Sequence, residues 1–496
     1  MIKSLCILGG GTAGFISALL LRSAYPNLKI EIIESSKIGI IGVGEGSTEH
    51  WKIFMKAINI SVPQLVRETG ATFKMGIRFD NWLGKKETYF HSISEQFGSV
   101  DGYSGIPYTQ MRYIGEGKTA LDTVWAKSMA SIHPEPLHEI MAQYHFDTHK
   151  LNQFFHKLCT ERNISVIDND ICDVILDEQG FVKQLVAEDG AVYTADFFID
   201  SSGFRKIISS KLGSKWIDCS EQLPMNAAIA FPTVGTNEIP SHTLAEAMDA
   251  GWRWRIPTQE RFGNGYVFCD AFINETQAYD EIQQKFKESI NIGKKVKFSA
   301  GYTDKFWSKN CLTVGLAAMF VEPLEASSIG STIQQARAFM SYISTWERTD
   351  TKVPEHYNQT FTEVAENIID FIQLHYFTSR GDTEFWRWCQ HNIKMTEFNK
   401  HNLDRWKTNF INPAIFGHNQ YLMFKTGNFV QVMHGLELFD IKKIKQLYED
   451  QFFHLDHMSK DQVADGDRIE LTREFVTHRE ALERLKTRDT VWTYGS

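Results

Sequence analysis

The sequence predicts an α/β fold, in which a doubly wound parallel sheet is followed by a mostly α-helical carboxyl-terminal portion. The chain opens with an apolar strand over residues 4–8, a glycine-rich turn, a helix to about residue 24 and a second strand over 29–33. Such a strand–helix–strand unit of about 30 residues is typical of a doubly wound sheet. Short strand patterns follow along the body, and helical periodicity dominates after residue 330.

Further elements of the body are expected in order along the chain. Residues 48–67 have helical spacing, with Trp51, Phe54, Met55 and Ile58 on one face. We expect a strand over 73–82, a loop over 98–117 and a helix over 147–161. Strands are expected over 165–167, 174–176, 182–186, 191–199, 225–231 and 266–273, with amphipathic helices between and after the last two.

The carboxyl-terminal portion is expected to contain helices over 331–346, 353–376, 383–397, 441–456 and 471–485. No repeat or evident linker separates it from the body. We therefore predict two parts, an α/β body of residues 1–345 and a helical portion of residues 346–496 that packs against it.

Composition limits the class of ligand and the compartment. The 52 basic and 61 acidic side chains give a net charge of −9, which argues against nucleic acid as a ligand. No apolar run approaches the roughly 18–20 residues that span a membrane, so no membrane association is expected. The seven cysteines form no C-x-x-C pair, so we expect neither a metal site nor disulfides, and a cytoplasmic location. Aromatic residues reach 13 %, which fits either a large core or a pocket for flat rings.

The glycine-rich turn has the pattern of a dinucleotide-binding site. Gly9, Gly11 and Gly14 allow a tight turn, close approach of the backbone to a pyrophosphate, and close packing of helix on strand. The helix that begins at Thr12 and Ala13 offers unpaired N–H groups to phosphates. Glu34 ends the second strand and can accept hydrogen bonds from a ribose hydroxyl. A carboxylate there favours FAD or NAD over NADP.

Four further stretches, together with the glycine turn, resemble the flavin-dependent tryptophan halogenase family in order and spacing. They are residues 41–45 (IGVGE), 198–205 (FIDSSGFR), 252–257 (WRWRIP) and 320–325 (FVEPLE). Residues 370–376 (DFIQLHY), continuing to Trp386, look like the same family. The resemblance covers the chain to about residue 390, and W-x-W-x-I-P is its most specific mark.

The resemblance implies a flavin-monooxygenase-like body and a halogenase. Reduced FAD, supplied by a separate flavin reductase, would give hypohalous acid from O2 and halide, and a tunnel would lead it to a small aromatic substrate. The implied catalytic residues are Lys74, which guides the oxidant, and its paired acid Glu325. Trp252 and Trp254 would form a wall beside the flavin, and the helical portion would contribute to the substrate pocket. The implied FAD-binding residues are Gly9, Gly11, Thr12, Ala13, Gly14, Glu34, Gly42, Val43, Gly44, Glu45 and Ile329.

The implied chemistry suits these residue types. An ammonium can hydrogen-bond hypohalous acid, and a neutral amine can form a haloamine, while burial lowers a lysine pKa towards the working pH. A carboxylate can accept the ring proton or stabilise the cationic intermediate. Each residue also has an ordinary interpretation. Lys74 could extend to the surface, Glu325 could be a favourable charge at a helix start, and the tryptophans could be core.

The sequence departs from the family at the halide site. Tryptophan halogenases usually carry Ser-Thr-Gly after the Pro-Leu-Glu, where this chain has Ala326, Ser327 and Ser328. We expect Ser327 and Ser328 to bind the halide in a reshaped loop, and bromide or iodide to be preferred over chloride. Indoles, phenols and other electron-rich rings stay open as substrates. The low proline count and the stretches rich in Ile, Lys and Asn suit an AT-rich genome such as that of a marine phage, which would place the protein in the host cytoplasm.

Other functions stay open at this point. The chief alternative is an FAD-dependent aromatic monooxygenase, which would insert oxygen and would need direct contact between substrate and flavin. A NAD-dependent dehydrogenase is less favoured because the chain has no second nucleotide-binding pattern. A non-enzymatic flavoprotein would not require Lys74 and Glu325 together. The sequence also does not decide whether the protein forms a homo-oligomer.

Overall fold

A parallel sheet carries the glycine turn, as the sequence predicts. The computed structural model describes residues 2–39, 44–92, 99–100, 103–104, 143–447, 449–450 and 477–487. The sheet has the strand order β10-β2-β1-β14-β23-β22, in which the first five strands are parallel and β22 is antiparallel to β23. Its strands are β1 (Ser4–Leu8), β2 (Lys29–Glu34), β10 (Ser165–Asp168), β14 (Phe197–Asp200), β22 (Trp307–Ser308) and β23 (Cys311–Thr313).

A second, seven-stranded sheet has the order β20-β16-β19-β18-β17-β5-β6. Its strands are β5 (Gly76–Asp80), β6 (Thr88–Ser92), β16 (Ala227–Val234), β17 (Thr243–Met248), β18 (Gly251–Pro257), β19 (Arg261–Phe268) and β20 (Lys294–Lys297). In β18, Trp252 and Trp254 lie two residues apart and so point to the same face. Trp254 lies opposite Gly265, where a Cβ would be 2.0 Å from the indole, so the ring needs a glycine there.

The body also contains sheets of two or three strands. The described ones have the orders β3-β9-β4, β11-β12-β13, β15-β21-β24 and β7-β8. Their strands are β3 (Glu45–Gly46), β4 (Thr72–Phe73), β7 (Ser99–Val100), β8 (Tyr103–Ser104), β9 (Tyr144–Phe146), β11 (Ile171–Leu176), β12 (Val182–Ala187), β13 (Val192–Tyr193), β15 (Trp216–Asp218), β21 (Gly301–Thr303) and β24 (Met319–Phe320).

Helices pack around the sheets and form most of the carboxyl-terminal portion. Those of the body are α1 (Thr12–Ala24), α2 (His50–Ala57), α3 (Val62–Thr69), α4 (Thr148–Glu161), α5 (Ile207–Lys211), α6 (Glu275–Gln283) and α7 (Ser327–Ile343). Those that follow are α8 (Lys352–Leu374), α9 (Glu384–Asn392), α10 (Glu397–Trp406), α11 (Thr426–Gly435), α12 (Ile441–Leu447) and α13 (His478–Lys486).

Several expected elements are wrong in detail. The single helix over 48–67 is two helices, because Asn59 adopts a left-handed conformation and Ser61 caps α3. The strand over 73–82 is interrupted at Lys74 and Met75. The helices expected between 231 and 266 are instead the strands β17 and β18. The helix over 383–397 ends at Asn392, and α10 begins separately at Glu397.

Other expected elements lie largely outside the described residues. The loop over 98–117 is described only at β7 and β8, which are strands. The described part of the helix over 441–456 is α12, and that of the helix over 471–485 is α13.

One hydrophobic core includes side chains from both predicted parts of the chain. It contains Ile7 and Phe15 of the body together with Phe371 and Trp386 of the helical portion. The division at residue 345 stays a prediction. Among the described helices, none is both long enough and apolar enough to cross a bilayer.

Candidate active site

The glycine turn between β1 and α1 is tightly packed on its inner side and open at Gly11. A Cβ on Gly9 would lie 2.3 Å from the carbonyl oxygen of Ser201, and one on Gly14 would lie 2.1 Å from that of Gly9. A Cβ on Gly11 would meet no atom of the described residues within 4 Å. Among the described residues, none fills the space at the amino terminus of α1, where backbone N–H groups lack helical partners. This shape fits the pyrophosphate of a dinucleotide.

Glu34 lies beside this turn at the end of β2. A Cβ on Gly10 would be 1.9 Å from the Glu34 carboxylate, so the two strands of the unit are in close contact here. Glu34 Oε1 lies 3.1 Å from Nε2 of His156 on α4, and this hydrogen bond raises the pKa of the imidazole. Glu34 thus lies beside the glycine turn, next to a histidine that the sequence did not indicate.

The segment after the strand–helix–strand unit returns to the glycine turn. Thr12 Oγ1 donates to Glu45 Oε2 at 3.2 Å. Burial raises the pKa of Glu45 to about 7, although the hydrogen bond from Thr12 opposes this. A Cβ on Gly44 would lie 3.4 Å from Ile256 of the W-x-W-x-I-P stretch. Gly42 and Val43 lie outside the described residues.

The two tryptophans of β18 differ in burial and in partners. Trp252 is fully buried, and its Nε1 donates to Glu322 Oε2 at 3.1 Å. The Tyr376 hydroxyl lies 2.7 Å from both oxygens of the same carboxylate. Burial raises the pKa of Glu322 to about 7 despite these donors. Trp254 is partly buried, and its ring centroid is 6.1 Å from that of Trp252. The Glu322 carboxyl therefore fixes Trp252 in place.

Lys74 is a buried lysine between β4 and β5. It is only 2 % exposed, so the interpretation as a surface lysine is wrong. Its Nζ donates to the carbonyl oxygen of Ser47 at 2.9 Å. Burial lowers the pKa of Lys74 to about 8, and the charges of Glu325 and Glu49 partly offset this. The pKa of Lys74 thus lies well below that of an ordinary lysine.

Glu325 is buried between two histidines. Its Oε2 lies 2.9 Å from Nδ1 of His91, and its Oε1 lies 3.0 Å from Nε2 of His375. Burial alone would raise the pKa of this carboxyl, but the interactions with His91 and His375 outweigh it and lower the pKa to about 2. The sequence did not point to His91. His375 lies in the DFIQLHY stretch, to which we assigned no role.

Lys74 and Glu325, the expected pair, interact through their charges and share no described hydrogen bond. Both side chains are buried, and the charge of Glu325 favours the protonated form of Lys74. The described hydrogen bonds of Lys74 go to backbone, and those of Glu325 go to the histidines. Gly46 connects the two segments, because a Cβ on it would lie 3.6 Å from Lys74 Nζ and 3.4 Å from the Cβ of Ala326.

The predicted halide residues lie where the loop enters α7. Ala326 has a φ of +53°, so the left-handed residue is the alanine. The glycine that the family usually has corresponds to Ser328 in this chain. Ser328 is already helical, so this position does not need the conformational freedom of glycine. Ser327 is buried and Ser328 is exposed. Ile329, a predicted FAD contact, is buried in the first turn of the helix.

The chain is similar to known proteins in both sequence and structure. The family model described as tryptophan halogenase matches residues 4–449. Tryptophan 6-halogenase ThaL of Streptomyces albogriseolus is 30% identical over 423 residues, which are 78% of each chain. Tryptophan 7-halogenase KtzQ of Kutzneria sp. (strain 744) is 27% identical over 436 residues, 78% of this chain and 79% of its own.

Solved structures agree in fold. BrvH, a flavin-dependent halogenase from Brevundimonas sp. BAL3, superposes with a TM-score of 0.83 at 26% identity over 98% of this chain and 99% of its own. A tryptophan halogenase from Shewanella frigidimarina NCIMB 400 superposes with a TM-score of 0.89 over 98% of each chain, and at 23% identity it supports the fold alone.

Proposed function

The chain belongs to the tryptophan halogenase family and is an oxidoreductase that uses FADH2 and halide, and from this premise we propose that Lys74 and Glu325 direct hypohalous acid onto a small electron-rich aromatic ring. The observation that carries this proposal is the buried Lys74 ammonium near the Glu325 carboxylate, which is fixed by two histidines. Indoles and phenols are the proposed substrate class, and bromide or iodide is the proposed halide.

The residues around the glycine turn fit FAD. Reduced FAD, delivered by a separate flavin reductase, supplies the electrons with which O2 and halide give hypohalous acid. The open space at Gly11 would receive the pyrophosphate, and the N–H groups of Thr12 and Ala13 would bind it. Glu34 would bind the ribose. The other residues proposed to hold the cofactor are Gly9, Gly14, Gly42, Val43, Gly44, Glu45 and Ile329.

Lys74 would act on the oxidant. Its ammonium donates a hydrogen bond to the oxygen of hypohalous acid, so the departing hydroxide develops its charge against a cation. The ring carbon forms the bond to halogen while the oxygen–halogen bond breaks. The ring then loses a proton, and hydroxide and proton together give one water.

Glu325 would act through its charge. A carboxylate whose pKa is lowered by its two histidine partners is ionised at neutral pH and is a weak base. Stabilising the cationic ring intermediate therefore suits it better than removing the ring proton. Both groups are buried, and exclusion of water strengthens such an interaction.

Trp252 and Trp254 would separate the flavin from the substrate. Trp252 is fixed by Glu322 and Trp254 packs beside it on the same face of β18, so the pair makes a rigid aromatic surface. Such a wall prevents direct contact between ring and flavin, which favours halogen transfer over hydroxylation.

Ser327 and Ser328 would bind the halide at the start of α7. Ala326, which adopts the left-handed conformation, stands where the family usually has a serine. Larger halides are less tightly hydrated and easier to oxidise. We therefore propose bromide or iodide over chloride.

One experiment tests the function. The FAD-loaded protein is reduced with NADH and an external flavin reductase, then given O2, indole or phenol, and equal chloride, bromide and iodide. We expect a bromo or iodo product by mass spectrometry, which is lost in Lys74→Ala while hydrogen peroxide release continues. Lys183→Ala, which removes an exposed lysine on β12, is the matched control and should keep full activity.

Other products would contradict specific parts of the proposal. A hydroxylated product without halogen would make the protein a monooxygenase. A dominant chloro product would overturn the halide preference alone.

A further inference from the structure

Starting from the proposed function, we infer that His375 is a positioning residue, whose imidazolium form holds the Glu325 carboxylate ionised and in place near Lys74. His375 lies one residue beyond the end of α8 and is completely buried. It does not need to touch substrate for this role. The hydrogen-bond partners around Glu325 determine which ring nitrogens carry a hydrogen.

Both ring nitrogens of His375 face oxygen atoms. Nδ1 lies 3.0 Å from the carbonyl oxygen of Phe371, which can only accept, so Nδ1 carries a hydrogen. Nε2 lies 3.0 Å from Oε1 of Glu325. An ionised carboxylate can also only accept, so Nε2 then carries a second hydrogen and the ring is a cation.

His91 reaches Glu325 in a different protonation state. Asn428 Oδ1 accepts from the backbone N–H of Lys425 at 2.8 Å, which directs the amide nitrogen of Asn428 towards His91. That Nδ2 lies 3.1 Å from Nε2 of His91, which therefore accepts. His91 Nδ1 then carries the hydrogen and donates to Glu325. His91 thus supplies a neutral donor, and His375 supplies the positive charge.

The surroundings of His375 require its charge to be balanced. Its ring centroid lies 5.0 Å from that of Phe79, 6.0 Å from that of Trp82 and 5.2 Å from that of Phe371. A single buried charge in such an environment is costly, whereas the paired charges of His375 and Glu325 neutralise each other.

Other titratable groups stand near this pair without replacing it. They are Lys74, His91 and the buried phenol of Tyr89, whose ring is stacked at 4.6 Å on Phe79. None of them contacts His375 through a described hydrogen bond. Removing the positive charge of His375 would therefore make protonation of Glu325 easier and weaken the field that it exerts on the substrate.

Nuclear magnetic resonance of the FAD-loaded protein tests the protonation state directly. Histidine is isotope-labelled in its imidazole nitrogens, and His375→Gln identifies the His375 signals by their loss. At neutral pH we expect both nitrogens of His375 to be protonated in the wild type. In Glu325→Gln the ring should become neutral. A neutral His375 in the wild type would overturn the inference whether or not the enzyme halogenates.

Kinetics with indole test the consequence. His375→Gln keeps a donor for Glu325 but removes the charge, so we expect kcat for halogenation to fall at least ~10-fold while KM changes less than about threefold. Oxidant formation should continue, and the excess should appear as haloamine when taurine is added as a trap. A kcat of His375→Gln equal to that of the wild type would contradict the inference. If Lys74→Ala loses halogenation while His375→Gln keeps the kcat of the wild type, the proposed function stands and the role of His375 is rejected.

Discussion

The role proposed for Lys74 makes turnover depend on the protonation state of this side chain. Burial lowers the pKa of this lysine to about 8. If the ammonium is the active form, kcat for halogenation falls as pH rises through about 8, because the amine cannot donate to the departing hydroxide in the same way. We expect this decline in a pH profile measured with saturating indole and bromide. Hydrogen peroxide release, recorded over the same pH range, is the control for oxidant supply. A kcat that rises through this range would indicate a haloamine formed on the neutral amine.

The sequence indicated the proposed catalytic pair, but not the residues that contact it. Lys74 and Glu325 lie in stretches that resemble the family. The histidines that hold Glu325 come from positions 234 and 50 residues away in the chain, and only tertiary packing brings them together. In the same way, Trp252 and its partner Glu322 are 70 residues apart. Buried polar contacts of this kind leave no local pattern.

Among the secondary-structure elements, local sequence patterns predicted the first strand–helix–strand unit correctly. The predictions failed where a helix-capping residue or the alternating pattern of a strand was overlooked. The break between α2 and α3 has a recognisable start pattern, because Ser61 precedes Pro63 and its side chain accepts from the backbone N–H of Gln64. The alternation in W-x-W-x-I-P is that of a strand, but we expected helices between residues 231 and 266, and the stretch forms β18. The order of the seven-stranded sheet could not be predicted, since it depends on pairing between distant segments.

The start of α1 allows a matched test of cofactor binding. The Cβ of an alanine at position 11 would contact no described atom, so Gly11→Ala should leave the melting temperature of the FAD-free protein nearly unchanged. Because this Cβ would occupy the space proposed for the pyrophosphate, the same substitution should weaken FAD binding at least ~10-fold. Gly14→Ala places a Cβ 2.1 Å from the Gly9 carbonyl oxygen and should lower the melting temperature of the FAD-free protein by several degrees. Calorimetry and flavin titration measure both. Undiminished FAD affinity in Gly11→Ala would contradict the assignment of this space to the pyrophosphate.

For the whole molecule, the charge of Lys74 lowers the free energy of unfolding. The pKa of this buried group is about 8 in the folded chain against 10.5 for an ordinary lysine. Between these values the unfolded chain binds more protons than the folded one, so stability rises with pH across the window. Below about pH 8 the buried charge lowers the free energy of unfolding by its full amount, about 3 kcal/mol.

Lys74→Met removes that cost together with the hydrogen bond to the carbonyl oxygen of Ser47. The stability of Lys74→Met relative to the wild type should therefore be greater at neutral pH than above pH 10.5 by about 3 kcal/mol. Urea unfolding of both proteins in the FAD-free state at the two pH values measures this difference. Lys183→Met, at an exposed position on β12, is the control and should show no such change. An equal relative stability of Lys74→Met at both pH values would mean that Lys74 keeps its ordinary pKa, and the pH dependence expected of halogenation would lose its basis.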